Sequence, residues 1–253
     1  MIDEGGAKAN NMHEAFQQTL VDVQDEVRAA FGWSVSSDRS SAEAMIDCVR
    51  KHSGRAPHWS IEACNETLGH LKAQLLDARE VVVIGAAATA AEVKGIEEED
   101  VMIIAADGSV GALPGLSNLA CVVSDFDGGE HLDAAAKRGA VMLVHAHGDN
   151  MSRWQSSLDA WSRLVVPPRL VLSHQTPEPV EGAHNFGGFT DGDRAVCFAL
   201  AIGVKRENIR LLGFSLREVG PWSATTVPEL KLQKLAWMNR ILMSVGLDGA
   251  VAK

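Results

Sequence analysis

The chain has 253 residues, 46% of them apolar, enough for one large domain with a substantial core. Its formal net charge of −10 speaks against nucleic-acid phosphate as a partner, and no run approaches the roughly 18 apolar residues of a membrane helix. The opening residues, MIDEGGAKANN, lack the basic and apolar regions of a secretory signal, and the scattered Cys48, Cys64, Cys121 and Cys197 read as reduced thiols of a cytoplasmic protein, not as a zinc site.

Up to about Asp77 the sequence reads as helical. Phe16, Leu20, Val23, Val27 and Phe31 recur at spacings of three and four, which predicts a helix over 15–31. Further helices are expected over 40–52 and 60–76, with GWSVSSD and SGRAPHW as the links. At Glu80 the texture changes. Short unbroken apolar runs begin near Val81, Val101, Ala120, Val141, Arg169 and Ile209. Unbroken runs suit strands buried on both faces. Helical stretches are expected between them over 89–94, 131–138, 150–163 and 191–202, with a last helix from Pro228 to about Val245. Strand–helix alternation predicts an α/β protein with a mainly parallel sheet, helices on both faces and right-handed crossovers. The expected organisation is a helical N-terminal extension over 1–77 and an α/β domain over 78–253. The acidic run from Glu97 to Asp100 is expected to be a solvated loop.

The apolar runs end abruptly in small or chemically capable residues. These ends are Asp107-Gly108-Ser109, Asp125-Phe126-Asp127, His145-Ala146-His147-Gly148-Asp149-Asn150, Ser173-His174-Gln175 and Gly213-Phe214-Ser215. In a parallel sheet they share one edge, where open α/β proteins bind ligands. If Asp125 and Asp127 continue a strand, their carboxylates share a face and Phe126 points away. Two hard oxygen donors suit Mg²⁺, with Asp107 and Asp149 as supporting ligands or water anchors. The alternative is a pair of aspartates that cap a loop or the next helix. His145-Ala-His147-Gly-Asp149 begins like a zinc hydrolase site, but Asn150 stands where the next histidine should be. These histidines are therefore expected to touch phosphate or substrate, unless backbone carbonyls satisfy them.

The segment Asn185-Phe-Gly-Gly-Phe-Thr-Asp-Gly-Asp-Arg194 is a glycine-rich loop that runs into a helix. Gly187 and Gly188 permit close backbone approach. The free N–H groups of the helix start could hold phosphate, and Arg194 adds positive charge there. Plain capping explains Thr190 and Asp193 equally well. Lys231 and Lys234 share a face of the last helix and could reach a phosphate, although such pairs are more often solvated.

VMIIAADGSVGAL followed by CVVSDFDGG resembles the Ala-Asp-Gly and Gly-Asp-Phe-Asp-Ser pair of thiamin pyrophosphokinases. HAHGDN and NFGGFTDGDRA resemble instead the archaeal-type 6-hydroxymethyl-7,8-dihydropterin pyrophosphokinases, the MptE-like family; the likeness runs from about Phe31 to the C-terminus, with FGWSVSSDRSSA the looser part. Ser124 stands at the first glycine of the thiamin-enzyme pattern and Gly128 at its serine. The resemblance implies an α/β catalytic domain without a separate β-sandwich substrate domain. It also implies Mg²⁺, ATP and a dihydropterin alcohol as ligands, release of AMP, and a product used in folate or methanopterin synthesis. On it, Asp107, Asp125, Asp127 and Asp149 are the expected catalytic carboxylates, with Asp125 and Asp127 on the metal. His145, His147, Asn150, Gly187, Gly188, Thr190, Asp191, Asp193 and Arg194 are the expected contacts to ATP or pterin. A metal-dependent glycosyltransferase, a thiamin-type pyrophosphokinase and a non-catalytic nucleotide binder remain alternatives. Oligomeric state is left open, a homo-oligomer included.

Overall fold

The computed structural model describes residues 4–94, 96, 100–223 and 228–251. Three helices come first: α1 (Glu4–Phe31), α2 (Val35–His52) and α3 (Ile61–Asp77). Then strands and helices alternate as β1 (Glu80–Ile84), α4 (Ala90–Val93), β2 (Val101–Ala106), β3 (Leu119–Ser124), α5 (Gly129–Lys137), β4 (Met142–Ala146), α6 (Met151–Trp161), β5 (Leu170–His174), α7 (Asp191–Ala201), β6 (Ile209–Leu212) and α8 (Pro228–Ser244). A 3₁₀ segment, Asp107–Ala112, links β2 to β3. Most of the expected acidic loop, Glu97 to Glu99, lies outside the described residues.

The six strands form one sheet, all parallel, in the order β5-β4-β3-β2-β1-β6. Strand residues alternate between two cores. Val82, Ile84, Val122, Val144 and Leu172 meet Met45 and Val49 of α2, Leu132 of α5 and Trp154, Leu158 and Trp161 of α6. Val81, Val83, Ile104, Cys121, Leu143 and Val171 meet Leu20 and Val27 of α1, Leu71 and Leu75 of α3, much of α7, and Ile241 and Leu242 of α8. Residues 1–77 thus supply part of both cores. The apolar runs are unbroken because both faces of each strand are covered.

Helix α2 starts at Val35, earlier than the expected 40, because Ser34 is extended and serves as the N-cap. The indole of Trp154 donates to Ser41 Oγ at 3.0 Å, and that of Trp59 to the Pro168 carbonyl at 2.7 Å. Both ties give a buried ring N–H its acceptor and fix the N-terminal helices to α6 and to the start of β5.

The strand order places a switch point between β1 and β6. Connections from β1 lead to the α4 face, and the chain leaving β6 leads to α8 on the other. Neighbouring strands whose exits diverge leave a crevice at their carboxyl ends.

Gly187 and Gly188 make their close approach to α1. Both have positive φ, +82° and +79°, and a Cβ on Gly187 would sit 2.4 Å from the Leu20 carbonyl oxygen. The Gly188 N–H donates to that carbonyl, and Gln24 Nε2 donates to the Gly188 carbonyl at 3.0 Å. Gly187→Ala is therefore expected to cost about 1–3 kcal/mol of stability. Urea unfolding with the slope unchanged is the measurement, and a midpoint equal to wild type would refute this packing role.

Candidate active site

An open cleft of about 920 Å³ occupies the β1/β6 crevice and continues along the carboxyl edge to β3. Its floor is bare backbone. A Cβ on Gly85 would lie 2.6 Å from the Gly213 carbonyl oxygen, and one on Gly220 would lie 1.9 Å from that of Ala86. Glycine alone lets these loops meet. Lys231 and Lys234 of α8 face this cleft, so the pair is not merely solvated.

Asp107, Asp125, Asp127 and Asp191 also line the cleft. Asp107 follows β2 in a left-handed conformation, φ +51°. Its carboxylate accepts a hydrogen bond from Ser124 Oγ, which also accepts from the Phe126 N–H at 2.8 Å. A Cβ on Gly128 would lie 2.8 Å from Asp107 Oδ1. Serine at 124 and glycine at 128 are thus both fitted to this carboxylate. One oxygen each from Asp107, Asp127 and Asp191 lies within 4.8 Å of the others. Asp191 comes from the first turn of α7, so the trio draws on three separate parts of the edge.

Asp125 and Asp127 do not alternate along a strand. β3 ends at Ser124, and Phe126 turns the chain with φ +71°. The Phe126 ring packs on Trp161 at 5.5 Å between centroids. Asp125 therefore stands beside the trio and not within it. Its Oδ2 accepts from His147 Nε2 at 3.2 Å, while His147 Nδ1 accepts the Asp149 N–H at 3.3 Å. In that pair the hydrogen sits on His147 Nε2, which donates to Asp125.

Burial pushes the Asp107 carboxyl well above its usual range, aided by the charges of Asp191 and Asp127. Burial raises Asp191 too, with Asp125 adding to it and Arg194 opposing. Burial also acts to raise Asp125, but the hydrogen bond from His147 and the charges of His147, Arg194 and Arg153 outweigh it and hold that carboxyl well below its usual range. Asp125 Oδ1 and Asp191 Oδ1 are buried without a hydrogen-bond partner. Partnerless buried carboxylate oxygens next to a three-carboxylate cluster fit a hard divalent cation, which takes oxygen ligands only.

The other expected residues separate into distinct roles. His145 is enclosed, with Nδ1 at 3.0 Å from Ser173 Oγ and Nε2 at 3.3 Å from Gln175 Oε1. Asn150 is a clamp: its amide donates to the carbonyls of Asp125 and His145 and accepts the His147 N–H. Asp193 accepts from the N–H and hydroxyl of Thr190 and from the Phe189 N–H, which is the capping alternative. Arg194 is buried, donates to Gln175 Oε1 at 2.9 Å and lies 3.6 Å from Asp191. Asp149 is exposed and faces a second cavity, lined also by Trp33, Ser37, Asp38 and His147.

Sequence reasoning missed Asp38, and it gave Gln175 only as part of a strand end, with no role. Asp38 is buried and accepts from the Gly148 N–H at 2.8 Å and from Gln175 Nε2 at 2.9 Å. Arg28 donates to the Gln175 carbonyl at 2.6 Å and lies 3.8 Å from Asp38. An aspartate in the first turn of a helix reads as a dipole partner, and a lone glutamine carries no motif, so only FGWSVSSDRSSA hinted at this part.

Fold and cleft define a parallel α/β protein with an acidic, glycine-floored cleft at the carboxyl edge of its sheet. No family model matches the sequence. A protein from Pyrococcus furiosus called 6-hydroxymethyl-7,8-dihydropterin pyrophosphokinase is 36% identical over 220 residues, 83% of this chain and 86% of that one. Proteins of the same name from Methanothermobacter thermautotrophicus and Methanocaldococcus jannaschii are 38% and 37% identical, over 48% and 36% of this chain and 50% and 37% of their own lengths. The chain belongs to the 6-hydroxymethyl-7,8-dihydropterin pyrophosphokinase family.

Two predictions follow from the charges. Asp107→Asn keeps a residue tolerant of positive φ and an acceptor for Ser124, yet removes the charge that burial disfavours. In chelator it is expected to unfold at higher temperature than wild type. Added Mg²⁺ should then stabilise it less than wild type. A lower melting temperature in chelator would contradict the repulsion argument.

His174 titrates near pH 4, lowered by burial and then by the charges of His184 and Arg39. An unfolded histidine takes its proton near pH 6.5. The unfolded chain therefore binds the proton first, and stability is lost as pH falls from about 6.5 towards about 4, at no more than about 1.4 kcal/mol per pH unit. His174→Asn should flatten that slope in urea unfolding at pH 7, 6 and 5; an equal slope in both proteins would exclude it.

Proposed function

We propose that the chain transfers pyrophosphate from ATP to the hydroxymethyl group of 6-hydroxymethyl-7,8-dihydropterin and releases AMP, with Mg²⁺ bound. The observation that carries this reading is the Asp107, Asp127 and Asp191 cluster, flanked by Asp125 and with Oδ1 of both Asp125 and Asp191 buried without a hydrogen bond, at the mouth of a glycine-floored crevice. Names of the related proteins supply the acceptor. The substrate oxygen forms a bond to the β-phosphorus, the bond from that phosphorus to the AMP oxygen breaks, and the hydroxyl proton passes to the medium. Bound among the carboxylates, Mg²⁺ would neutralise the triphosphate and the charge that develops on AMP.

The chain's own groups position the reactants. Asp107, Asp127 and Asp191 hold the cation, and Asp125, kept ionised by His147, offers a further oxygen or orients a bound water. Lys231 and Lys234 supply positive charge from α8 at the cleft. The bare loops after β1 and β6 let phosphate or ribose approach the backbone. Arg194 acts through its charge on Asp191 and Asp125, since its guanidinium is taken up inside the protein.

The test is AMP formation from ATP with dihydropterin, thiamin and sugar acceptors, against Mg²⁺ concentration. Asp127→Asn and Asp125→Asn are each expected to lower turnover by about 10²–10³-fold with little change in thermal unfolding. Near-normal turnover in both, or full wild-type activity in excess chelator, would show the metal assignment to be wrong; AMP formation with thiamin or a sugar alone would displace the pterin.

A further inference from the structure

A second cavity lies beside the first cleft, between the short link from α1 to α2 and the loop after β4. Its walls include Trp33 and His147, whose rings are nearly parallel at 15° with centroids 6.5 Å apart. Face-to-face contact needs about 3.5–4.0 Å between carbons. A flat ring between them needs about twice that, so half-buried Trp33 must move outward to admit one. We propose that this slot is the acceptor subsite: it takes the flat bicyclic ring of the alcohol between Trp33 and His147, while the nucleotide lies on the β1/β6 side of the carboxylates. The assignment rests on the pyrophosphokinase reading above.

Three observations support it. The slot and the cleft share a wall. His147 is bonded to Asp125, which lines the cleft. Trp33 packs against Phe189 at 5.7 Å and lies 5.8 Å from Lys234 Nζ, and both of those residues line the cleft. In-line transfer puts the attacking and leaving oxygens on opposite sides of phosphorus. A nucleotide in the β1/β6 crevice therefore requires the acceptor to come from the far side of the carboxylates, where the slot opens.

The loop after β4 and α2 hold one side of the slot in place. A Cβ on Gly148 would lie 2.8 Å from Ser37 Cβ, so the loop after β4 is pressed against α2. Both Asp38 oxygens are engaged with Gly148 and Gln175, which makes that carboxylate part of the wall. Trp33 is braced from behind by Phe31 at 4.9 Å and 22°.

Finally, the rim chemistry matches the ring. A 2-amino-4-oxopyrimidine edge presents adjacent N–H donors, and a carboxylate accepts two such bonds at once. Asp149 offers an exposed carboxylate at this cavity, with the Ser34 and Ser37 hydroxyls as further polar groups.

The experiment measures KM for each substrate in wild type, Trp33→Leu, Trp33→Phe and Asp149→Asn, with thermal unfolding as the folding control. Loss of ring stacking is expected to raise the acceptor KM in Trp33→Leu about 10-fold and leave the ATP KM within about twofold. Trp33→Phe should recover most of the loss. Asp149→Asn, an exposed change that preserves the fold, should raise the acceptor KM and weaken discrimination against an analogue without the 2-amino group. Unchanged acceptor KM in Trp33→Leu and Asp149→Asn, with wild type active, overturns the subsite. A rise confined to the ATP KM also overturns it, since that places adenine in the slot. If wild type does not turn over the pterin, the reading of the activity fails first, and titration with 6-hydroxymethylpterin decides the slot on its own. Tryptophan quenching that disappears in Trp33→Phe supports a flat-ring site there; quenching equal in both proteins, or none, refutes it.

Discussion

Negative charge gathered at one edge of the sheet is the constraint on which the rest depends. Asp107, Asp125, Asp127 and Asp191 crowd into one cleft in a chain already rich in acid. Buried like charges are costly, and a protein meets that cost by protonation, by pairing or by binding a cation. All three responses are legible here. The carboxyls of Asp107 and Asp191 are pushed towards the neutral form, Asp125 is paired with His147, and two oxygens are left without a partner.

Around that charge runs a buried polar chain with Gln175 at its centre. The side chain accepts from Arg194 and His145 and donates to Asp38, while its carbonyl accepts from Arg28. Arg194 thereby stays next to Asp191 and Asp125 without entering the cleft. Asp38 and Arg28 belong to α2 and α1, so the N-terminal helices help hold the carboxyl edge as well as cover the sheet. The network is not fully satisfied, since Arg194 Nε is buried without a hydrogen-bond partner. Its partners come from segments far apart in the chain, and that is why it left no local trace in the sequence.

What could be read in advance follows the same division. Six apolar runs became six parallel strands because burial on both faces imposes a pattern that needs no context. The residues at their carboxyl ends were visible for the same reason. Details beyond the strand ends were not visible. Phe126 at positive φ carries no marker, so the turn that sets Asp125 beside His147 and Asp127 beside Asp107 replaced a simple alternation. Gly187 and Gly188 announced a close approach but not the approaching partner, which is α1. Thr190 and Asp193 look alike as caps and as ligands, and they cap each other. Asp191, between them, joins the acidic trio, a role that only the fold reveals.

The strand order carries a consequence for how the molecule is made. β1 through β5 add to the sheet one after another, each beside the last, whereas β6 must return across the whole sheet to pair with β1, Val81 meeting Ile209. Pairings so distant in sequence close slowly, because the chain entropy of the intervening loop is lost before any contact rewards it. The crevice between β1 and β6 can close only when residues 209–212 are available, and α8 with its lysines follows them in the chain. All four carboxylates precede that strand and helix in the sequence, so the segment made last completes the cleft that they line.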